Sequence, residues 1–331
     1  MAFPLKKIPY SDHKALKLHV YVVGYPTEGE SILFIIAEAN KALLTIVTDC
    51  YEDGQNYNHV STILCNEWES ASIDAFVWTH PHKDHSQGII SLLDKYDGKR
   101  QAHIIAATNV VGFQNYPGDI WDEAKNIQDY LFKHYPPSSF QYHYKDYDPY
   151  EDCTYAFLLY GENPEECPPL NVTLDFVAPV GALVAKQMSN QHFKPNKGSL
   201  AFIFSINTIN IFMGGDLDEI CVPLIKEEVF HHVNLIKIPH HGSEKTGDIH
   251  LKFGMNECED VHAATTIYKR SYDPKDLILK GYVNNGATVH CTGPKTSVIP
   301  TEPYGCLHYI YDISMSRLES LLKSTNVYQF T

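Results

Sequence analysis

Histidine and aspartate are concentrated in residues 79–88, which read Thr-His-Pro-His-Lys-Asp-His-Ser-Gln-Gly. Four potential metal ligands lie within six positions: His80, His82, Asp84 and His85. Imidazole nitrogens and carboxylate oxygens suit zinc, manganese or iron. Alternate residues of an extended segment point the same way, so His80 and His82 can share one metal ion. Asp84 and His85 follow the bend and can face a second ion, so this stretch predicts a metal centre.

The apolar run 73–78 directly before these ligands is typical of a buried β-strand, which places the ligands in the loop at its carboxyl end. The pattern His-x-His-x-Asp-His after such a strand resembles the metallo-β-lactamase superfamily of hydrolases. Residues 44–49 and 211–216 also resemble family strands, the second ending in the Gly-Asp of a metal-bridging carboxylate. Residues 235–243 end in Pro-His-His-Gly-Ser, which is similar to one branch. That branch includes the hydrolase domain of competence (DNA-uptake) channels and the teichoic-acid phosphorylcholine esterases.

The resemblance implies a centre with two divalent ions, zinc or manganese. By this resemblance His80 and His82 hold one ion, and Asp84 and His85 hold the other. Asp216 bridges the two ions, because a carboxylate has one oxygen to offer each cation. The attacking group implied is a hydroxide between the ions, which Asp84 helps to orient.

Two ligand positions stay open in the sequence. His240 and His241 are adjacent, and adjacent residues that leave a strand point apart. One of them is expected to bind metal, and the other to act as general acid or to contact the substrate. Many superfamily members also place a histidine shortly before the Gly-Asp strand. His192 is the histidine near that position here, and Asn196 is the alternative that the competence-type branch suggests.

Ser243 and Lys269 are the candidate substrate-binding residues. Ser243 closes the Pro-His-His-Gly-Ser motif, and Lys269 lies in a basic loop that can hold a phosphate. The competence-type branch has a histidine-proline pair near this loop. This chain has Asp273 and Pro274 instead, so the resemblance does not carry the same substrate over.

Charge and composition limit the possible substrates. The 331-residue chain is 44% hydrophobic and 20% charged, as in ordinary globular proteins, and its formal net charge is −14. That charge argues against a broad basic surface for nucleic acid. The branch resemblance favours a metal-dependent phosphodiesterase of nuclease type that cleaves DNA or RNA. The alternatives are a hydrolase of a small phosphoester such as a cyclic nucleotide, a thioester or lactone hydrolase, and a metal-binding module without activity.

The cysteines and the apolar segments indicate where the protein is expected to be located. Eight scattered cysteines without Cys-x-x-Cys spacing predict reduced thiols in a cytoplasmic protein. The first ten residues lack the apolar core of a secretory signal, and no apolar run approaches the ~18 residues of a membrane span. The expected partner is therefore a phosphodiester substrate and not a membrane, and a homodimer is left open.

The order of the predicted elements indicates the fold class. Strands and helices alternate throughout, which predicts two mixed sheets flanked by helices. This α/β architecture is the αββα sandwich of the metallo-β-lactamase type that the resemblance also implies. One hydrolase domain over residues 1–331 is expected, with an insertion at about 108–170 that lies over the active-site face. Helices are predicted near residues 88–96, 119–134, 218–230, 274–284 and 314–323.

Overall fold

Two mixed β-sheets form the centre of the computed structural model. It describes residues 4–68, 71–107, 119–143, 154–179, 195–254, 256–269, 272–293 and 304–331. In spatial order, the described strands of the first sheet are β16 (Arg317–Lys323), β15 (Gly305–Asp312), β2 (Leu16–Gly24), β3 (Glu30–Glu38), β4 (Lys41–Thr48), β5 (Ala75–Trp78), β6 (His103–Ala107) and β7 (Phe140–His143). Those of the second are β1 (Pro4–Pro9), β8 (Thr154–Tyr160), β9 (Leu170–Ala178), β10 (Ala201–Ile206), β11 (Ile209–Met213), β12 (Leu235–Lys237), β13 (His262–Thr265), β14 (Thr288–Cys291) and β17 (Tyr328–Phe330).

The two sheets pack face to face. Phe34 of β3 stacks on Phe204 of β10, with ring centroids 4.7 Å apart and planes 10° apart. Neighbouring residues of β12 divide between two cores, since successive strand side chains point to opposite faces. Leu235 joins the core between the sheets, whereas Ile236 joins a second core together with Phe253 and Leu279 from the helices.

Helices complete the sandwich. The described α-helices are α1 (His59–Glu67), α2 (Lys83–Ser86), α3 (Ile89–Tyr96), α4 (Asp119–His134), α5 (Ile249–Phe253) and α6 (Asp276–Asn284). Leu64 of α1 and Leu93 of α3 join the same core as the first sheet, and α5 and α6 pack on the outer face of the second. The predicted αββα sandwich of two mixed sheets is confirmed.

Parallel pairing brings the ends of distant strands together. β4, β5, β6 and β7 are successively parallel, as are β11, β12, β13 and β14. Neighbouring parallel strands end at the same edge of a sheet, so the segments that follow β4 and β5 are adjacent, as are those that follow β11 and β12. The segments after β5, β11 and β12 carry the candidate ligands, and Asp49 follows β4 beside them. In open α/β sheets ligands bind outside such carboxyl ends.

Two helix predictions are wrong. Residues 218–230 form short 3-10 turns at Val222–Leu224 and Glu227–Phe230, because Pro223 lacks the N–H that a helix interior requires. Residues 317–323 form β16, which pairs antiparallel with β15. A register shift in this pair lets both Leu318 and Leu321 pack on the core, although their spacing of three is typical of a helix.

The segment 108–170 is described in part. Residues 108–118 and 144–153 lie outside the described residues. The described remainder supplies α4, which packs against α2, and the strands β7 and β8. That this segment lies over the active-site face stays a prediction. In the described part of the chain, no helix is both long and apolar enough to cross a bilayer.

Candidate metal centre

The candidate ligands meet at the carboxyl ends of β5, β11 and β12. Asp216 reaches the centre because Gly215 precedes it in a left-handed backbone conformation, at φ 49°. A Cβ atom at Gly215 would lie 2.5 Å from the Leu200 carbonyl oxygen and 2.5 Å from Ser199 Oγ. Ser199 Oγ instead accepts the backbone N–H of Asp216 at 2.9 Å. Glycine is therefore required for the close approach of this loop to its neighbours.

Four ligand atoms converge in what we call site B: Asp84 Oδ2, His85 Nε2, Asp216 Oδ1 and His241 Nε2. His241 Nε2 and His85 Nε2 lie 3.1 and 3.5 Å from Asp84 Oδ2. The same nitrogens lie 3.9 and 3.3 Å from Asp216 Oδ1. These side chains are all buried, and they come from three separate segments: α2, the turn after β11 and the turn after β12.

The other Asp216 oxygen faces a second group, which we call site A: His80, His82 and Asp216 Oδ2. His80 Nε2 lies 3.0 Å from His82 Nδ1 and 3.6 Å from Asp216 Oδ2. All three residues offer ligand atoms within 4.8 Å of one another. Asp216 thus offers one carboxylate oxygen to each site, as the bridging role requires.

Two buried atoms of site B show whether the residues present suit a metal ion. His85 Nε2 and Asp216 Oδ1 are buried and have no hydrogen-bond partner among the described residues. An unpartnered buried polar atom costs about 1–3 kcal/mol, so an atom left in this state needs another partner. Imidazole nitrogens and carboxylate oxygens that point at one another are a suitable donor set for a divalent cation. The residues present therefore fit metal ions at both sites.

Asp49 and Glu30 also approach the histidines. Ligand atoms of Asp49, His80 and His85 lie within 4.8 Å of one another, as do those of Glu30, His85 and His241. Asp49 Oδ2, however, is 2.7 Å from His85 Nδ1, which is a hydrogen bond and too short a distance for two ligands of one ion. Glu30 Oε2 already accepts from two other side chains. We therefore assign both carboxylates to orienting the histidine rings, as partners of metal-bound histidines commonly do.

Sequence reasoning did not single out Glu30. The residue begins β3, in which eight consecutive residues from Glu30 onward are buried. A carboxylate at the start of a largely apolar strand is the signal that the sequence offers, since buried carboxylates need a charged or hydrogen-bonded partner.

Burial and the neighbouring charges shift the pKa values of the His80, His85 and Asp216 side chains. Burial lowers the pKa of the His80 imidazole well below its usual range, and the neighbouring His85 lowers it further. Burial also disfavours protonation of His85, but the carboxylates of Asp216 and Asp84 hold its pKa well above the usual range. Burial favours the neutral acid at Asp216, yet the surrounding histidines keep the pKa of that carboxyl well below its usual range. The neighbouring carboxylates therefore favour the protonated form of His85 in the metal-free centre.

Metal binding is expected to release protons at neutral pH. Because its pKa is raised, His85 is protonated in the metal-free protein, whereas a metal ligand must present a neutral ring nitrogen. Metal affinity should therefore rise with pH until the His85 pKa is passed. Calorimetric titrations with Zn²⁺ in buffers of different ionisation enthalpy measure the number of protons released. An apparent enthalpy that is the same in all buffers would contradict this assignment.

The structure separates His240 from His241. Both residues have left-handed backbone conformations, with φ of 48° and 52°, which side-chain-bearing residues rarely adopt. This backbone turns His241 into site B and leaves His240 beside Asn196, whose Nδ2 lies 3.1 Å from His240 Nε2. Asn196 Nδ2 also lies 3.3 Å from Asp216 Oδ2, so Asn196 is close to site A. His192 lies outside the described residues, and its ligand role stays a prediction.

A cavity of about 670 Å³ opens onto the centre. Its lining includes His82, Asp84, Asn196, Asp216, His240, His241 and Ser243, together with Glu28, Lys83, Asp218, Glu244, Lys245, Tyr268, Asp273 and Lys275. Ser243 lines this cavity, and its Oγ accepts the Lys245 N–H at 3.3 Å. Its role in substrate binding stays a prediction. Lys269 is exposed and is not among the described lining residues, where the lysines are Lys83, Lys245 and Lys275.

The αββα sandwich with candidate ligands at the strand ends is an α/β architecture of the metallo-β-lactamase type. No family model and no curated protein matches the chain. Similar solved structures include the metallo-β-lactamase fold protein YhfI from Bacillus subtilis, at 13% identity over 83% of this chain and 95% of that one, with a TM-score of 0.43. The short form of human tRNase Z is 13% identical over 74% of this chain and 91% of that one, with a TM-score of 0.36. Zn²⁺-bound PqqB from Methylobacterium extorquens is 12% identical over 82% and 97%, with a TM-score of 0.38. Likenesses at this level leave the activity open.

Proposed function

We propose that the protein is a metal-dependent hydrolase of phosphodiesters, of nuclease type. The observation that carries this proposal is the convergence of His85 Nε2 and Asp216 Oδ1, two buried and unpartnered atoms, with the other ligands of sites A and B. These ligands border a cavity that also holds lysine side chains, among them Lys83 and Lys245. Lysine ammonium groups suit the negative charge of a phosphodiester.

The protein's own residues prepare the centre for hydrolysis. Zinc or manganese ions at the two sites would supply Lewis acidity and a water molecule with a pKa lowered towards neutrality. Asp49 holds the His85 ring through its Nδ1 atom, and Asp216 holds the loops of the two sites at a common carboxylate. Asp84 lines the cavity and can orient a water molecule there.

His240 is the proposed general acid. It lines the cavity with a side chain that is 15% exposed, whereas that of His241 is 2% exposed and faces site B. A leaving alkoxide needs a proton, and a histidine at the cavity wall can donate it.

His240→Gln is therefore expected to lower kcat by about 10²- to 10⁴-fold on substrates with alkoxide leaving groups. The loss should be much smaller on bis-p-nitrophenyl phosphate, because p-nitrophenolate leaves without a proton. Metal content, measured by mass spectrometry of the purified variant, should equal that of the wild type. Equal losses on both substrates, or loss of metal, would show that His240 is not the proton donor.

A substrate panel tests the proposed activity. The panel consists of plasmid DNA, RNA oligonucleotides, cyclic dinucleotides and bis-p-nitrophenyl phosphate with added Mn²⁺, and a thioester and a lactone for comparison. Turnover of phosphodiesters that stops with a chelator and returns with metal supports the proposal. Turnover of the thioester or lactone without any phosphodiester would refute it.

A small phosphoester is a second candidate substrate. Carboxylates of Glu28, Asp218, Glu244 and Asp273 line the same cavity as the lysines, and the chain carries a net charge of −14. A long polyanion is repelled by such a surface, whereas a small phosphoester needs only the centre and one or two lysines. The cavity volume also lies within the range of small-molecule sites, roughly 300–1,000 Å³. A steep fall of affinity with salt favours nucleic acid, and a weak salt dependence favours the small substrate.

A further inference from the structure

A buried ion pair lies directly behind site B. Lys237 at the end of β12 and Glu30 at the start of β3 join the two sheets, with Nζ and Oε2 2.6 Å apart. Their side chains are 0% and 2% exposed. A buried ion pair is often no more stabilising than apolar residues of the same size. A role in positioning neighbouring groups is therefore expected of this pair.

Thr266 connects the ion pair to the metal centre. Its hydroxyl donates to Glu30 Oε2 at 2.8 Å, and its Oγ1 lies 2.7 Å from His241 Nδ1. A hydroxyl has one proton, and here that proton is given to Glu30. Thr266 can therefore only accept from His241, which places the imidazole proton on Nδ1. The lone pair of His241 Nε2 is then free to face Asp84 and Asp216 in site B.

The same arrangement occurs independently at site A. The Thr79 hydroxyl donates to Asp49 Oδ2 at 2.6 Å, and its Oγ1 lies 3.0 Å from His80 Nδ1. Because the single hydroxyl proton of Thr79 is donated to Asp49, Thr79 can only accept from His80. The His80 proton is therefore on Nδ1, and the lone pair of Nε2 faces Asp216. Each site thus has a carboxylate and a threonine that set one histidine tautomer.

We propose that Lys237, Glu30 and Thr266 form a positioning relay that holds His241 in its Nδ1–H tautomer and so presents Nε2 to the metal of site B. Lys237 supports the relay by pairing with Glu30, because an ionised carboxylate can only accept from Thr266. None of the three residues touches the substrate or the reacting atoms in this assignment. The proposal rests on the metal centre of the proposed function but does not depend on the substrate.

Thr266→Val and Thr266→Ser form a matched pair for the test. Valine keeps the shape of threonine and removes the hydroxyl, whereas serine keeps the hydroxyl. Thr266→Val is expected to weaken Co²⁺ binding at site B by about 10- to 100-fold and to leave Co²⁺ binding at site A unaffected. Thr266→Ser should bind both ions like the wild type. Chelator competition followed through the visible Co²⁺ spectrum measures both affinities.

The ring N–H of His241 gives a second readout that does not depend on activity. In the Co²⁺-loaded wild type its Nδ1–H should give a shifted proton resonance that exchanges slowly with water, because it is buried and bonded to Thr266. The resonance should persist in Thr266→Ser and broaden or vanish in Thr266→Val. A change that only loosened the fold would instead lower the thermal stability of the metal-free protein.

A combined variant tests the Lys237–Glu30 part of the relay. Glu30→Leu with Lys237→Met removes both charges together and should weaken site B by the same factor as Thr266→Val. Adding Thr266→Val to this pair should cause no further loss, since residues of one network are not additive. If the triple variant instead lost affinity by the product of the two separate factors, the relay would be overturned.

The possible failures are distinguishable. Wild-type protein that binds fewer than two ions per chain overturns both the metal centre and the relay. Wild-type protein that binds two ions, with Thr266→Val equal to Thr266→Ser in affinity and in N–H exchange, overturns the relay alone.

Discussion

Replacing Asp216 by asparagine is expected to reduce turnover by roughly 10³-fold or more and to leave the protein folded. The amide has one oxygen and no negative charge, so it cannot serve both site A and site B. Two metal ions can stabilise the charge of the transition state by several kcal/mol, and losing that stabilisation lowers the rate by roughly 10³-fold. His82→Ala should have a similar effect, because His82 belongs to site A. Initial rates on the best phosphodiester of the substrate panel measure both losses.

The metal-free Asp216→Asn protein should stay folded but be less stable than the wild type, because the surrounding histidines stabilise the ionised Asp216 carboxyl in the folded state. Asp216 also lies near the carboxylates of Glu30 and Asp84, and the loss of their repulsion offsets part of this cost. Asp248→Asn is the matched control, since Asp248 is exposed and makes no side-chain cap to α5. Full activity of Asp216→Asn, or equal losses in both variants, would mean that the reaction uses other residues.

Lys237→Met is expected to destabilise the metal-free protein by about 3–5 kcal/mol, because it leaves Glu30 buried without its partner. The nearby carboxylates of Asp84 and Asp216 add to the cost. Glu30→Leu together with Lys237→Met should restore most of the lost stability, because replacing a buried ion pair by apolar residues is often neutral or favourable. Urea unfolding in a chelator measures these differences without a contribution from bound metal.

Lys125→Met is the control for this series. Lys125 pairs with Asp129 on the exposed surface of α4, at side-chain exposures of 49% and 61%. Its loss should cost about 0.3–0.5 kcal/mol. If Lys237→Met were no less stable than Lys125→Met, the claim that Lys237 neutralises a buried charge on Glu30 would be wrong.

The centre could be predicted from sequence where its residues are local. His80, His82, Asp84 and His85 follow one buried strand, and their spacing alone places them in one short segment, whose last part forms α2. The motif in residues 211–216 predicted Asp216 as a ligand, because a Gly-Gly-Asp turn can approach a neighbouring loop closely. In both cases the chemistry is contained in fewer than ten consecutive residues.

The remaining features depend on contacts between distant parts of the chain. The choice between His240 and His241 follows from two successive left-handed residues, which nothing in the local pattern requires. Lys237 and Glu30 meet because β12 and β3 lie in different sheets that pack together. The strand β16 has the leucine spacing of a helix, and pairing with β15 through a register shift overrides that preference. Such effects become visible only when the sheets are assembled.

The most direct test of the metal centre is anomalous diffraction from crystals grown with Zn²⁺ or Mn²⁺. Two ions per chain are expected, one among His80, His82 and Asp216, and the other among Asp84, His85 and His241, with Asp216 contacting both. A single ion bound without Asp216, or ions held by Glu30 or Asp49 in place of these ligands, would contradict the central claim.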